Sequence, residues 1–438
     1  MKIAVIGAGY VGLVTAACFS EFGFQVKCID RDKGKIKSLK KNIIPIYEPG
    51  LIDLVKKNND SNYLSFSANI SDVTDAKVIF IAVGTPTARR GNGEADLKYV
   101  YKVCKELSVL LKKGKPKLII TKSTVPVGTG KKIKEKFEQY RNDLIFNKDY
   151  YIASNPEFLR EGSAIEDFMR PDRVICGVSN ETSIEILREL YRPLNLRETP
   201  LVFTDLESAE LIKYASNAFL ATKITFINEL ANLCEKMDIN IEDVSIGIGT
   251  DKRIGGRFLR AGPSYGGSCF PKDTRALIDT AKKSRTSLSV VNSVINSNEK
   301  RSEILLKRIK KILKNKIKNK KITFLGVTFK ANTDDMRESA CLKMIPYLNN
   351  NGAFIRYYDP TGQKREFNKL KNVEYKNNIK NACELSDLII IHTEWNEFKL
   401  IDLKRIVKKR NFAVYDMRNI YSPEKMKKLN IKYFGIGR

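Results

Sequence analysis

"KIAVIGAGYVGLVTAACFSEFGFQVKCID", residues 2–30, is the stretch that decides the fold. Lys2–Ile6 is a short apolar run, followed by Gly7, Gly9 and Gly12 at GxGxxG spacing and a helical stretch to about Phe22. Gln25–Ile29 reads as a second strand, and Asp30 stands at its end. Strand, glycine loop, helix, strand and acidic residue, in that order, make the dinucleotide-binding βαβ unit. The first glycine makes the tight turn, the second lets a pyrophosphate touch backbone, and the third lets the helix pack on the strand. Asp30 can take two hydrogen bonds from ribose hydroxyls, which favours NAD over NADP. Arg31, directly after it, leaves NADP open. One lysine, an apolar run and small residues before Cys18 also suit a secretory or lipoprotein signal. The glycine spacing gives that run a separate explanation.

Working outward, strand-like runs recur at Lys77–Val83, Lys117–Thr121, Tyr150–Ser154 and Arg173–Val178, alternating with polar helical segments. That alternation predicts an α/β domain with a mainly parallel sheet. From about Glu207 to Met237 one long helical pattern runs without Pro or Gly, the kind of helix that bridges domains or forms a dimer seam. A second α/β unit begins after the lysine run at 310–321, with "KITFLGVTFK" (321–330), "FIRYYDP" (354–360), "DLIIIHTEW" (387–395) and "FAVYDMRN" (412–419). The expected fold is two Rossmann-like parallel-sheet domains joined by a long central helix and helical connector. The domain boundaries expected are 1–203, 204–305 and 306–438.

The 438 residues suffice for two or three domains, and no apolar run approaches the ~20 residues of a spanning helix. Eight cysteines include no CxxC pair, so neither a zinc cluster nor a redox dithiol is suggested, and no metal is expected. They read as reduced thiols of a cytoplasmic protein. His392 is the only histidine, so acid–base chemistry elsewhere must use carboxylates, lysines, thiols or water. A formal charge of +28 raises nucleic acid as a partner. The lysines are scattered, however, and the densest run, "KKILKNKIKNKK" at 310–321, has no aromatic for base stacking. A field that attracts an anionic small molecule fits better.

"SYGGSCFPKDTRAL", residues 264–277, supplies the candidate nucleophile. Pro271 suits the first turn of a helix, so Cys269 sits just before a helix start with Lys272 close by; both features favour the thiolate. The alternative is a small buried residue in a turn.

The motifs resemble the nucleotide-sugar dehydrogenases, the UDP-glucose/GDP-mannose dehydrogenase family. The resemblance is carried by "GAGYVG" (7–12), "GTPT" (84–87), "KSTVPVGTG" (122–130), "NPEFLREG" (155–162) and "RPDRV" (170–174). It continues in "ELIKYASNAFLATKITFINELA" (210–231), "RFLRAGPSYGGSCFPKD" (257–273) and "GVTFKANTDDMRES" (326–339), spanning nearly the whole chain in order. It implies oxidation of UDP-glucose to UDP-glucuronate in two hydride transfers to NAD. Cys269 attacks the intermediate aldehyde, and water releases the acid from a thioester. The two glycines before Cys269 are then expected to admit the sugar.

The resemblance assigns Lys213 and Asn217, one helical turn apart, to the oxygen that becomes an oxyanion. By themselves they are two polar residues on a wet helix face. It assigns Asp273 and Thr124 to a water that takes protons and hydrolyses the thioester, and Glu161 to the nicotinamide and reacting sugar. For the cofactor it implies Gly7, Gly9, Tyr10, Val11, Gly12, Asp30, Lys35, Thr85, Thr124, Glu161 and Arg337. For the nucleotide sugar it implies Glu157, Phe158, Leu159, Arg160, Lys213, Asn217, Phe258, Leu259, Arg260, Ala261, Gly262, Gly266 and Lys330. Arg253 corresponds to an arginine that reaches a neighbouring subunit's site, in a homodimer. The alternatives are a dehydrogenase of UDP-N-acetylmannosamine or GDP-mannose, a two-electron hydroxyacid dehydrogenase, and a basic nucleic-acid-binding protein.

Overall fold

The computed structural model describes residues 1–87, 93–196 and 198–438, and the chain forms two compact units. One holds Met1–Ser216 with Arg275–Thr286; the other holds Asn217–Thr274 with Ser287–Arg438.

The first unit is built on eight strands: β1 (Lys2–Ile6), β2 (Gln25–Ile29), β3 (Leu64–Ser67), β4 (Val78–Ile81), β5 (Lys117–Thr121), β6 (Tyr150–Ser154), β7 (Val174–Gly177) and β8 (Leu201–Thr204). Their order is β3-β2-β1-β4-β5-β6-β7-β8. Every pair is parallel except β6 with β7, which meet antiparallel at Ser154 and Gly177. The central strands β4 and β5 are buried along their whole length, as strands covered on both faces must be. Helix α1 (Tyr10–Glu21) covers one face, where the Phe19 ring meets those of Phe80, Phe168 and Tyr191 at 5.1–5.5 Å between centroids. Helices α2 (Lys98–Leu110) and α3 (Thr129–Tyr140) bury Val103, Leu107, Ile133 and Phe137 in the other core. Strand order reverses between β1 and β4, so ligands are expected beyond their carboxyl ends.

The second unit carries β9 (Lys321–Leu325), β10 (Phe354–Tyr358), β11 (Val373–Tyr375), β12 (Leu388–Ile391), β13 (Ala413–Asp416) and β14 (Lys432–Gly435). They form an all-parallel sheet of order β11-β10-β9-β12-β13-β14. Ile227 and Ala231 of α4 (Leu206–Met237) and Leu305 and Ile309 of α6 (Ser289–Ile312) join Ile322, Phe324 and Ile390 in its core. Between α4 and α6 in the chain lies α5 (Phe270–Lys283), and the division between units falls within both α4 and α5.

The expected α/β class and the long helix are present, and α4 runs for 32 residues. Lys2–Ile6, Gln25–Ile29, Lys117–Thr121 and Tyr150–Ser154 are strands with the bounds read from the sequence, while the other runs extend past their strands into the loops at the strand ends. Four strands have no counterpart in the sequence reading: β3, β8, β11 and β14. They are the edges of the two sheets, where a half-exposed strand lacks the continuous apolar run that marks an inner one. Among the described residues no helix is long and apolar enough to cross a membrane.

Candidate active site

The register of β1 against β2 pairs Ile6 with Ile29 and so brings Asp30 beside the glycine turn. Asp30 accepts hydrogen bonds from the Ala8 N–H (2.9 Å), the Asp32 N–H (3.0 Å) and the Lys35 ammonium (2.8 Å). Burial alone would raise its pKa, but these donors outweigh burial and hold the carboxyl below its usual range. Gly12 cannot carry a side chain, since a Cβ would stand 1.8 Å from the Gly7 carbonyl oxygen. A Cβ on Gly9 would meet no described atom within 4 Å. Close packing at the third glycine, room at the second and an ionised carboxylate one strand away suit a dinucleotide. Arg31 lies over the Tyr99 ring at 4.9 Å, so the residue that left NADP open has an aromatic partner.

The Tyr10 hydroxyl is bonded to Glu48, and both accept from the Gly162 N–H; Glu48 also accepts from Ala164 N–H at 2.7 Å. Burial, then Glu48, push Tyr10 far above the ordinary phenol range. Glu48 thus fixes the turn after Glu161. The sequence reading missed it, although a lone carboxylate in "IIPIYEPG" was a usable signal. Val11 and Glu161 are partly buried.

Beyond β5 and β6 the first unit gathers a charged cluster. The Lys213 ammonium stands 3.3 Å from a Glu157 carboxylate oxygen, both side chains 4% exposed, and lies 5.1 Å from the Phe158 ring centroid. Thr85 donates its hydroxyl to the Thr124 carbonyl (2.8 Å), tying the loops after β4 and β5 together. Glu210, one turn before Lys213 on α4, accepts from the N–H groups of Gly128 (2.6 Å) and Gly130 (2.8 Å) at the start of α3. Burial pushes Glu210 up to about 7 although those amides pull it down. Lys122 donates to the Asn155 side-chain oxygen (2.9 Å) and contacts the Tyr191 hydroxyl (3.4 Å). Burial brings this lysine down to about 8, against the raising effect of Glu157. Glu210, Lys122 and Asn155 were all missed from sequence. Arg160 is held bidentately by Asp167, and Leu159 donates its N–H to Glu157.

In the second unit Cys269 heads α5: its carbonyl accepts the Asp273 N–H at 2.8 Å, as an N-cap does. Seven of the eight cysteines are buried, and Cys269 alone is partly exposed. Burial raises Cys28, Cys104, Cys176 and Cys383 to about 12, which leaves them inert. Asp273 is fully buried; it accepts from the Asn217 side chain (2.6 Å) and pairs with Lys272 (2.5 Å). Lys272 thus pairs with Asp273, and Asn217 commits one N–H to the same carboxylate. The two glycines before Cys269 also meet demands of the fold. A Cβ on Gly266 would stand 2.6 Å from the Glu338 carbonyl oxygen, and one on Gly267, at φ +79°, 2.7 Å from the Phe329 ring. They let the cysteine loop lie on residues 329–338, where Gly267 N–H bonds the Arg337 carbonyl at 2.8 Å.

Arg337 is held by Asp335 and Arg253 by Asp251, each through paired contacts. Lys330 lies over the Phe329 ring at 5.4 Å. Leu259 and Ala261 are buried, Arg260 is exposed, and Phe258 takes φ +67°. His392 is buried, and burial and then Arg418 push its pKa down to about 3. Arg418, which the sequence reading passed over, bonds the carbonyls of His392 (2.9 Å) and Phe329 (2.8 Å) at the switch point of the second sheet. Among the described residues no group of three metal-binding side chains occurs.

A glycine turn with a carboxylate at the end of the second strand is the arrangement that binds dinucleotides in NAD-dependent dehydrogenases. Residues 1–195 match the NAD binding domain of the UDP-glucose/GDP-mannose dehydrogenase family, 207–300 its central domain and 323–423 its UDP binding domain. The UDP-glucose 6-dehydrogenase of Rhizobium meliloti is 46% identical over the full length of both chains. TuaD of Bacillus subtilis, also a UDP-glucose 6-dehydrogenase, is 43% identical over all of this chain and 93% of its own. Among solved structures, a UDP-glucose dehydrogenase from Pyrobaculum islandicum shares 32% identity and a TM-score of 0.89, covering 100% of this chain and 97% of its own. A UDP-D-ManNAc dehydrogenase from Pyrococcus horikoshii shares 27% identity and a TM-score of 0.87, covering 100% and 99%. The chain belongs to the UDP-glucose/GDP-mannose dehydrogenase family. It is an NAD-dependent oxidoreductase.

Proposed function

We propose that the substrate is UDP-glucose, oxidised at C6 from alcohol to carboxylate, and that Cys269 carries the second half of the reaction. The observation that supports the covalent route is the position of Cys269: the single partly exposed thiol, at a helix start that favours negative charge, one turn from the buried Asp273. NAD+ supplies the hydride acceptor when bound, by Gly7, Gly9, Tyr10, Val11, Gly12, Asp30, Lys35, Thr85, Thr124, Glu161 and Arg337 in our reading. The first oxidation removes a hydride from C6 and a proton from its hydroxyl. The Cys269 thiolate then adds to the aldehyde carbon, so that C6 is tetrahedral and can lose its second hydride. The product of that loss is a thioester. Water, deprotonated toward Asp273 with Thr124, cleaves it and returns the thiol. Lys213 and Asn217 stabilise the oxygen that is negative in both steps. Glu157, Phe158, Leu159, Arg160, the 258–262 loop, Gly266 and Lys330 hold the nucleotide sugar, and Arg253 serves a neighbouring copy.

UDP-glucose is favoured over UDP-N-acetylmannosamine by the relatives at 43–46% identity, against 27% for the ManNAc dehydrogenase. The test is product analysis across a panel of nucleotide sugars. UDP-glucose should yield two NADH and one UDP-glucuronate per molecule, with no free aldehyde. One NADH per sugar would reject the thioester route, and faster turnover of UDP-N-acetylmannosamine would reject the substrate. We further propose a homodimer, since Phe219, Phe226 and Leu233, seven apart on α4, are 66%, 51% and 52% exposed on one stripe. Light scattering that returned a monomer mass would refute it. Eight cysteines that form no disulfide among the described residues suit a reducing, cytoplasmic setting.

A further inference from the structure

The loop from Phe258 to Gly267 contains a bulky residue in a left-handed conformation, Phe258 at φ +67°. Such a conformation persists only where surrounding structure over-determines it. Three side chains on two helices, none of which belongs to the site described above, bond the backbone of this loop. Gly262 donates its N–H to the Asn228 side-chain oxygen (2.8 Å) and gives its carbonyl to the Arg301 guanidinium at 3.1 and 3.2 Å. Three residues on, Tyr265 donates its N–H to the Asn298 side-chain oxygen (3.0 Å), and its carbonyl accepts from the same amide (3.1 Å). One asparagine therefore satisfies both backbone groups of one residue, as a neighbouring strand would. Asn298 and Arg301 lie one turn apart on α6, so a single helix face grips the loop at two points.

Arg301 is the unusual member. It is 3% exposed, and its acceptors are all neutral: the Gly262 carbonyl, the Asn228 carbonyl (3.2 Å) and the Asn232 side-chain oxygen (2.6 Å). Burying a guanidinium without a carboxylate is unfavourable, and a neutral side chain could fill the same volume. The charge is directed at the carbonyl of Gly262, the residue that ends the proposed nucleotide-sugar segment.

We propose that Asn298 and Arg301 are positioning residues that hold the 258–265 loop in its binding conformation for the diphosphate-bearing substrate. The inference rests on the reading of residues 258–262 as part of the nucleotide-sugar site. Without the clamp the loop must be ordered by the substrate, which lowers apparent affinity for that ligand and leaves affinity for the dinucleotide alone. The variants are Asn298→Ala, which removes both bonds to Tyr265, and Arg301→Lys, which keeps the charge but cannot reproduce the planar fork. Arg260→Ala, an exposed residue within the loop, tests the underlying reading.

The measurement is steady-state kinetics on the full chain with UDP-glucose and NAD+ varied separately. Orphaning buried backbone groups should raise KM for UDP-glucose about ten- to a hundredfold in Asn298→Ala, with KM for NAD+ within about twofold. Arg301→Lys should shift it in the same direction. A variant that merely loosens the fold would lower the unfolding temperature and the active fraction without separating the two KM values. Unchanged KM for UDP-glucose in both clamp variants, with a raised value in Arg260→Ala, overturns the clamp and keeps the loop reading. Unchanged values in all three overturn both.

Discussion

Replacing Lys122 by methionine should make the protein more stable and the gain should vanish in alkali. Lys122 is 5% exposed, and its ammonium has only neutral hydrogen-bonding partners, Asn155 and Tyr191. Burial lowers its pKa from 10.5 to about 8. At 1.36 kcal/mol per unit, that difference makes the charged form about 3 kcal/mol less favourable in the folded chain than in the unfolded one. Methionine matches the length of the lysine stem and carries no charge. The Asn155 oxygen is not orphaned, because the Tyr191 hydroxyl still donates to it. The sign follows from the depressed pKa. Below pH ~8 both states of the native chain carry the proton and the whole penalty is present. Between pH ~8 and ~10.5 the folded state gives up its proton while the unfolded state keeps it, so native stability rises with pH and the advantage of the variant shrinks. The gap should be about 3 kcal/mol at pH 7 and about 1 kcal/mol near pH 9.5. For a unit of this size that is about 5–10 °C in the unfolding midpoint at pH 7. The assay is thermal unfolding of both proteins at the two pH values. A variant that melts at or below the native temperature at pH 7, or whose gain does not depend on pH, refutes the reasoning.

Three further outcomes test the site. Asp30 should give a strong preference for NAD+, because its carboxylate repels a 2′-phosphate; equal kcat/KM for NAD+ and NADP+ would show that Lys35 or Arg31 overrides it. Cys269→Ser should lose at least about a thousandfold in turnover to the acid while still binding both substrates in calorimetry; near-normal turnover would make Cys269 a turn residue. Lys213→Ala should slow both oxidations by ~10²–10³, and it should also destabilise the fold by about 3–5 kcal/mol because Glu157 is left buried without its partner. A variant as stable as the native chain would show that Glu157 does not need the lysine.

What the sequence made legible has a common physical form. The glycine turn is legible because each glycine answers a local demand: a Cβ on Gly12 collides with Gly7, five residues away. Asp30 is legible because its position is fixed by the ends of two paired strands. The inner strands are legible because a strand covered on both faces is apolar without interruption. Cys269 is legible as a helix cap, since Pro271 marks the first turn. Each of these signals is contained within about thirty residues.

The residues that hold the site in place are not of that kind. Lys122, Glu210 and Arg301 are of charged types, and in a chain with 78 lysines and arginines and 50 aspartates and glutamates another such residue signals nothing. Their burial is decided by partners 33, 80 and 39 residues away. The glycines of the cysteine loop show the same limit from the other side. Their type was informative, but the sequence could not name Phe329 and Glu338 as the neighbours that the structure gives them. A glycine reports that something comes close; only the fold says what it is. The same holds for a buried charge, whose type states that a desolvation penalty exists but not which backbone group it orients. Lys122 and Arg301 share a feature that could be sought in other chains of this fold: a cation whose acceptors are all neutral. Such a group is retained against its own cost to stability, so replacing it should separate stability from activity, raising one while lowering the other.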